Sequence, residues 1–224
     1  NEEKFYSEKV IYLPKIWNSH CGFDLERIEN PPPFIKNKFF TFGSFNNFDK
    51  INSNVISVWS NILKKINNSK LILKTSKIKH GLERLKALFK ENGVLDSIKF
   101  IGREKKFKNH LNAYNEIDIA LDTFPYNGVT TSFEAIWMGV PVLTMAGYNF
   151  NSRCGESINK NLDLEELIAE NENDYISKAL NLAEDKILLS KISNKIYSSC
   201  LSSPLFDTKK FSNNFFKLLK DVYN

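Results

Sequence analysis

The sequence predicts an α/β domain: a doubly wound parallel sheet with helices on both faces, followed by a helical carboxy-terminal segment. Three observations carry this. Five short apolar runs alternate with helix-patterned stretches between residues 38 and 145. The runs are apolar throughout rather than alternating, as strands covered on both faces are. The connections between them are short, as they are between the layers of such folds.

The elements follow in order. Residues 1–37 read as an irregular lead-in and linker, because "NPPPF" (30–34) forbids a regular helix and favours extended backbone. "KFFTFG" (38–43) is an aromatic strand ended by glycine. "INSNVISVWSNILKKI" (51–66) places Val55, Val58, Trp59, Ile62 and Leu63 at helical spacing. "KLILKT" (70–75) is a strand, and "GLERLKALFKENG" (81–93) is a helix closed by Gly93. "SIKFIG" (97–102) is a strand, "FKNHLNAYNE" (107–116) a helix and "IDIALDTF" (117–124) a strand. "TSFEAIWMG" (131–139) is a helix closed by Gly139, and "VPVLTM" (140–145) is the fifth strand. Helices are expected beyond Arg153, then over 163–170, 173–184, 186–199 and 208–222. One domain is thus expected over residues 38–224.

Composition narrows the function classes. With 224 residues and 42% hydrophobic content the chain can bury a sizeable core. It has no apolar run of the roughly 18 residues that cross a membrane, and its charged start carries no signal-peptide pattern. It begins without Met, so a piece of a longer protein is expected. The net charge of +5 is scattered, which points to solvated faces rather than a nucleic-acid footprint. Cys21, Cys154 and Cys200 form neither a zinc spacing nor a disulfide framework, which fits a reducing cytoplasm.

In a doubly wound sheet, ligands bind outside the carboxyl ends of the strands, near the point where strand order reverses. The segments after the strands are therefore the informative ones. After the first comes "GSFNNFDK" (43–50), with Asn47 and Lys50 near a helix start. After the third comes "GREKK" (102–106), a glycine turn at Gly102 with Arg103 and Glu104. After the fourth come Asn127, Gly128, Val129, Thr130 and Thr131. After the fifth comes "MAGYNFNSRCGES" (145–157), with Ser152 and Arg153. Glycine together with hydroxyl, amide or cationic groups is what a bound phosphate needs: close N–H donors, a helix-terminal dipole and positive charge.

The helix opened by Thr130 and Thr131 has unpartnered N–H groups in its first turn, and threonine hydroxyls add donors to the same focus. Glu134 lies about a turn deeper, where a carboxylate can accept from two ribose hydroxyls. By itself the stretch reads first as a capped helix with Glu134 as dipole partner. The neighbouring phosphate-like loops favour the ligand reading. No D-x-D cluster is present, so no metal is expected. Asp118 and Asp122 are read as structural, Trp59 and Trp137 as core, and His20 and His80 as surface residues.

"DIALDTFPYNGVTTSFEAIWMGVPVLTMAG" (118–147) resembles the donor-binding segment of the O-GlcNAc transferase and SPINDLY family of glycosyltransferases. "YSEKVIYLP" (6–14), "FGSFNNFDKI" (42–51), "VWSNIL" (58–63), "IGR…HL" (101–111), "SRCGES" (152–157) and "SSPLFDT" (202–208) resemble family segments in family order. The resemblance implies the carboxy-terminal, Rossmann-like half of a two-domain GT-B enzyme, the half that binds the nucleotide sugar. The protein acceptor is then engaged by amino-terminal regions outside this chain. It implies diphosphate contacts from Lys50, Thr130 and Thr131, with Asn47 where the family places a Gln contact. It further implies that His110 stands beside the donor, Glu134 on the ribose and 102–105 around the base. Lys50 and His110 are the residues expected to serve catalysis. Val129 stands where animal O-GlcNAc transferases carry His, and Glu134 where they carry Asp. Both departures resemble bacterial relatives and SPINDLY-type sequences. A UDP-sugar is favoured as donor, UDP-GlcNAc first, with UDP-glucose, GDP-fucose or a non-catalytic nucleotide-binding role as alternatives.

Overall fold

The computed structural model describes residues 3–27, 29–75 and 79–223. Among them, strands β1 (Phe40–Ser44), β2 (Ser69–Lys74), β3 (Ile98–Ile101), β4 (Ile119–Leu121), β5 (Val142–Met145) and β6 (Ile168–Ala169) form one sheet. Its order is β3-β2-β1-β4-β5-β6, and every neighbouring pair is parallel. This is the doubly wound order. The chain winds outward from β1 to β3, then returns to lay β4 on the other side of β1. The order reverses between β1 and β4, and helices entering from opposite faces leave a crevice at the carboxyl ends there.

Helices α1 (Ser53–Lys65), α2 (Lys79–Glu91), α3 (Phe107–Asn112), α4 (Thr130–Trp137) and α5 (Cys154–Lys160) connect the strands. The carboxy-terminal part supplies α6 (Glu172–Glu184), α7 (Lys186–Ser199) and α8 (Thr208–Tyr223). Helix α1 buries Val55, Val58, Trp59, Ile62 and Leu63, the residues its periodicity selects. Its cap, Asn52, accepts from the Val55 N–H at 2.9 Å and donates to the Phe124 carbonyl at 3.0 Å, tying the helix start to the loop after β4. Gly43 is fixed by packing: a Cβ there would lie 2.5 Å from Ile117 Cγ2. Gly139, at φ +76°, ends α4 in the left-handed region that favours glycine.

Among its described residues the lead-in has only short 3-10 turns, yet it is sewn to the sheet. Ile16 and Phe34 are in the core. Asp118, buried at the start of β4, accepts from the N–H groups of Phe34 at 2.7 Å and Thr41 at 2.8 Å. Arg27 donates to the carbonyls of Trp137 and Tyr197, each at 2.8 Å, and so caps the end of α4.

Three expectations are corrected. Residues 163–170 are not a helix: a 3-10 turn at Glu165–Leu167 leads into β6, the sixth strand of a sheet expected to have five. Leu164, Leu167 and Ile168 have helical spacing, but Asp163 at φ +51° breaks the chain and Leu162, Leu164 and Leu167 all point into the core. Gly43 and Ser44 belong to β1 rather than to the loop after it. His20 is half-buried rather than fully exposed, with its ring 4.3 Å from that of Phe23 and 5.7 Å from Phe133. The His80 side chain lies outside the described residues. No helix among the described residues is long and apolar enough to cross a membrane.

Candidate functional site

The crevice is organised by one buried carboxylate. Asp122, just past β4, accepts at Oδ1 from the N–H of Gly128 (2.6 Å), the N–H of Thr123 (2.9 Å) and Asn46 Nδ2 (3.2 Å). Its Oδ2 accepts from the Thr144 hydroxyl at 2.9 Å. Burial pushes its pKa up to about 6, against the pull of these donors. Asn46, from the loop after β1, turns its Oδ1 to the Thr131 hydroxyl at 2.8 Å. The loops on either side of the switch point are thus joined through Asp122, Asn46 and Thr131. Helix α4 begins there with no side chain capping it, which puts the positive end of the helix dipole at this point.

Lys50 closes the 3-10 turn Phe48–Lys50 that Asn47 caps. Its Nζ donates to the Asn127 carbonyl at 2.8 Å and stands 3.9 Å from the centre of the Tyr126 ring. Partial burial lowers the ammonium pKa, and the Asp122 carboxylate pulls it back up. Asn127 is itself held, donating to the Thr123 carbonyl at 2.9 Å and accepting from the Gly155 N–H at 3.2 Å. A cation and a helix N-terminus are therefore carried by one braced loop.

Beside this point lies a cleft of about 700 Å³ lined by Asn47, Arg103, Glu104, His110 and Glu134, with Phe45, Asn46 and Lys74. His110 Nε2 meets Glu134 Oε2 at 2.8 Å, and the Tyr114 hydroxyl meets the same oxygen at 2.9 Å. The Lys74 ammonium is against His110 Nδ1. Burial raises the Glu134 pKa, while the Tyr114 hydrogen bond, Lys74 and His20 lower it. Burial also holds the Tyr114 phenol well above its ordinary value.

Most of the residues singled out from sequence converge. Asn47, Arg103, Glu104, His110 and Glu134 line the cleft. Lys50, Gly128 and Thr131 do not line it; they bond to Asn127, Asp122 and Asn46, and of these Asn46 reaches the cleft, with Thr130 exposed at the first turn of α4. Val129 packs partly against the core, and Gly102 is exposed ahead of Arg103. Arg153 does not join them. Its guanidinium is held by Glu156 at 2.7 and 3.2 Å, and it lines a separate cleft of about 380 Å³ with Tyr6, Trp17 and Phe150. Sequence reasoning passed over Asn46, Lys74 and Tyr114. Lys74 had a signal: it ends a strand, but the segment after it lacks the glycine that marked the other loops.

The model for glycosyl transferase family 41 matches residues 35–215. "Probable UDP-N-acetylglucosamine--peptide N-acetylglucosaminyltransferase SPINDLY" of Solanum lycopersicum is 37% identical over 229 residues, covering 100% of this chain and 24% of that protein. The SEC protein of Arabidopsis thaliana, of the same probable activity, is 30% identical, covering 93% of this chain and 22% of that one. A mutant O-GlcNAc transferase of Thermobaculum terrenum superposes with a TM-score of 0.86 at 28% identity, over 99% of this chain and 41% of that chain. Sucrose-phosphate synthase from Thermosynechococcus elongatus, at 15% identity and TM-score 0.61 over 82% of this chain and 45% of that one, shares the fold alone. The chain thus spans about a quarter of the length of these curated relatives.

Proposed function

The chain belongs to glycosyl transferase family 41, and on that footing we propose that it is the nucleotide-sugar-binding half of a protein O-glycosyltransferase. One observation carries the reading: Lys50 and the uncapped start of α4 are held by the same loop at the reversal point of the sheet. The diphosphate lies against the first N–H groups of α4, the hydroxyls of Thr130 and Thr131, and Lys50. Glu134 takes the ribose hydroxyls, and residues 102–105 take the base, with His110 beside the donor.

In sugar transfer the bond from the anomeric carbon to the diphosphate breaks, and negative charge builds on the leaving group. Donors already aimed at that charge need no reorganisation when it forms. Lys50 and the helix end supply the compensation that a metal ion supplies in D-x-D enzymes, so the reaction is metal-independent. Asn47, at the mouth of the same cleft, orients the donor. Arg153, held by Glu156, contributes only by turning from that carboxylate to the ligand. UDP-GlcNAc is the favoured donor, and UDP-glucose and GDP-fucose are the alternatives. The reaction is cytoplasmic, and the acceptor protein is presented by amino-terminal regions across the GT-B cleft. Much of a two-substrate rate enhancement comes from such placement, so this chain alone binds donor without transferring sugar.

Mass spectrometry of an acceptor protein tests this, with the longer protein that carries this chain and each of the three nucleotide sugars. One sugar should be transferred, and Lys50→Ala should abolish transfer. Glycosylation by the isolated chain would refute the division of labour.

A further inference from the structure

The contact between Lys74 and His110 assigns a role that neither the family membership nor the proposed diphosphate site requires. Lys74 is the last residue of β2, paired in register with Ile101 of β3. The next residue is pinned, because the Thr75 N–H donates to the Ile101 carbonyl at 2.7 Å. The lysine therefore leaves the sheet from a fixed point at the carboxyl edge. Its ammonium passes 5.7 Å from the Phe45 ring centre and ends on His110 Nδ1. Among the described residues, the groups facing the imidazole can be named. Glu134 reaches it from α4, Tyr114 from the turn after α3, Phe45 from the loop after β1, and Phe107 from its own helix. Arg103 and Glu104 line the same cleft, and His20 acts on Glu134 from the lead-in.

The chemistry of the partners fixes the ring. An ammonium can only donate, and a carboxylate can only accept. Between them a neutral imidazole must accept at Nδ1 and donate from Nε2. Glu134 alone would favour a second proton on the ring, because an imidazolium beside a carboxylate forms an ion pair. The Lys74 cation at Nδ1 opposes it, since that proton would enter the position the ammonium occupies. We propose that Lys74 is a positioning residue that holds His110 as the Nε2–H tautomer, aimed at Glu134. Glu134 then keeps its full negative charge and its remaining acceptor capacity for ligand hydroxyls. This rests on the nucleotide reading of the cleft for its purpose, but not for its geometry.

Side-chain 15N NMR of the histidine-labelled chain without nucleotide tests the geometry, with His110→Gln identifying the signal among three histidines. In the wild type, Nδ1 should stay unprotonated and Nε2 protonated between about pH 5.5 and pH 8, across the range where an ordinary imidazole titrates. In Lys74→Met, Nδ1 should take up a proton on acidification, and Lys74→Arg should restore the wild-type pattern. Affinity for a nucleoside diphosphate should be flat over this range in the wild type and Lys74→Arg, and about tenfold weaker at the acidic end in Lys74→Met. A wild-type ring carrying its proton on Nδ1, or identical titration in wild type and Lys74→Met, would overturn the assignment. If the tautomer is as stated but neither UDP nor GDP binds the wild type, the nucleotide reading fails alone. If nucleotide binds but Nδ1 carries the proton, the role of Lys74 fails alone.

Discussion

The N–H of Gly128 donates to Asp122 Oδ1 at 2.6 Å, and a side chain at 128 has nowhere to go: a Cβ would fall 2.5 Å from Thr131 Oγ1 and 2.8 Å from Asn46 Oδ1. The glycine is required by close approach, because three polar groups converge where its side chain would be. Gly128→Ala must therefore push Asn46 or Thr131 aside. A cost of about 1–3 kcal/mol is expected, as for overpacking elsewhere in protein interiors. Urea denaturation measures it, and calorimetry should show weakened nucleoside diphosphate binding in the same variant. A Gly128→Ala chain as stable and as tight-binding as the wild type would show that this turn is not what positions the site.

Asp122 gives the chain a pH signature. Its folded pKa is about 6, against an ordinary value of 3.8. Between these values the folded chain binds more protons than the unfolded one, so this group's contribution to stability falls as pH rises through the window and is constant above it. The swing is on the order of 2–3 kcal/mol. Asp118, also raised to about 6 by burial, acts in the same sense. The stability difference between wild type and Asp122→Asn should therefore shrink in favour of the variant from about pH 4 to pH 6, then level off. A difference constant across that range would contradict the buried-carboxylate reading.

Glu134→Gln keeps the shape of the side chain and one acceptor oxygen but removes the charge that faces His110, Tyr114 and the cleft. Hydrogen bonds to a charged acceptor are worth about 1.5–3 kcal/mol. Nucleotide affinity should fall by that amount, measured by titration, with a smaller change in melting temperature. A loss confined to melting temperature would make Glu134 a support for His110 and Tyr114 rather than a ligand contact.

The sheet was legible because parallel strands buried on both faces leave unbroken apolar runs, and because Gly93 and Gly139 mark helix ends by their positive φ. Strand β6 was not, because two residues carry no period and the leucines before it imitate a helix. The chemistry that repeats after each strand drew attention to Lys50, Thr131 and Glu134, and the fold gathers them near the β1–β4 reversal. Asn46 and Tyr114 were not, since an asparagine that bridges two loops and a tyrosine beneath a carboxylate look, in sequence, like any loop amide and any core ring. Arg153 was open to two readings, a ligand contact or a carboxylate pair, and the structure shows the pair. A basic residue in a glycine-rich loop has the composition of a phosphate contact, and the fold shows which carboxylate holds it, Glu156 one turn along.

The central claim is that the crevice at the β1–β4 reversal binds a nucleoside diphosphate without metal, through Lys50 and the start of α4. Calorimetric titration of the chain with UDP and with GDP, in EDTA, tests it most directly. The account predicts saturable one-to-one binding of at least one diphosphate, weakened about tenfold to a hundredfold by Lys50→Ala, the span expected for a hydrogen bond to a charged group. No binding of either nucleotide, binding that returns only when a divalent cation is restored, or equal affinity in Lys50→Ala would contradict it.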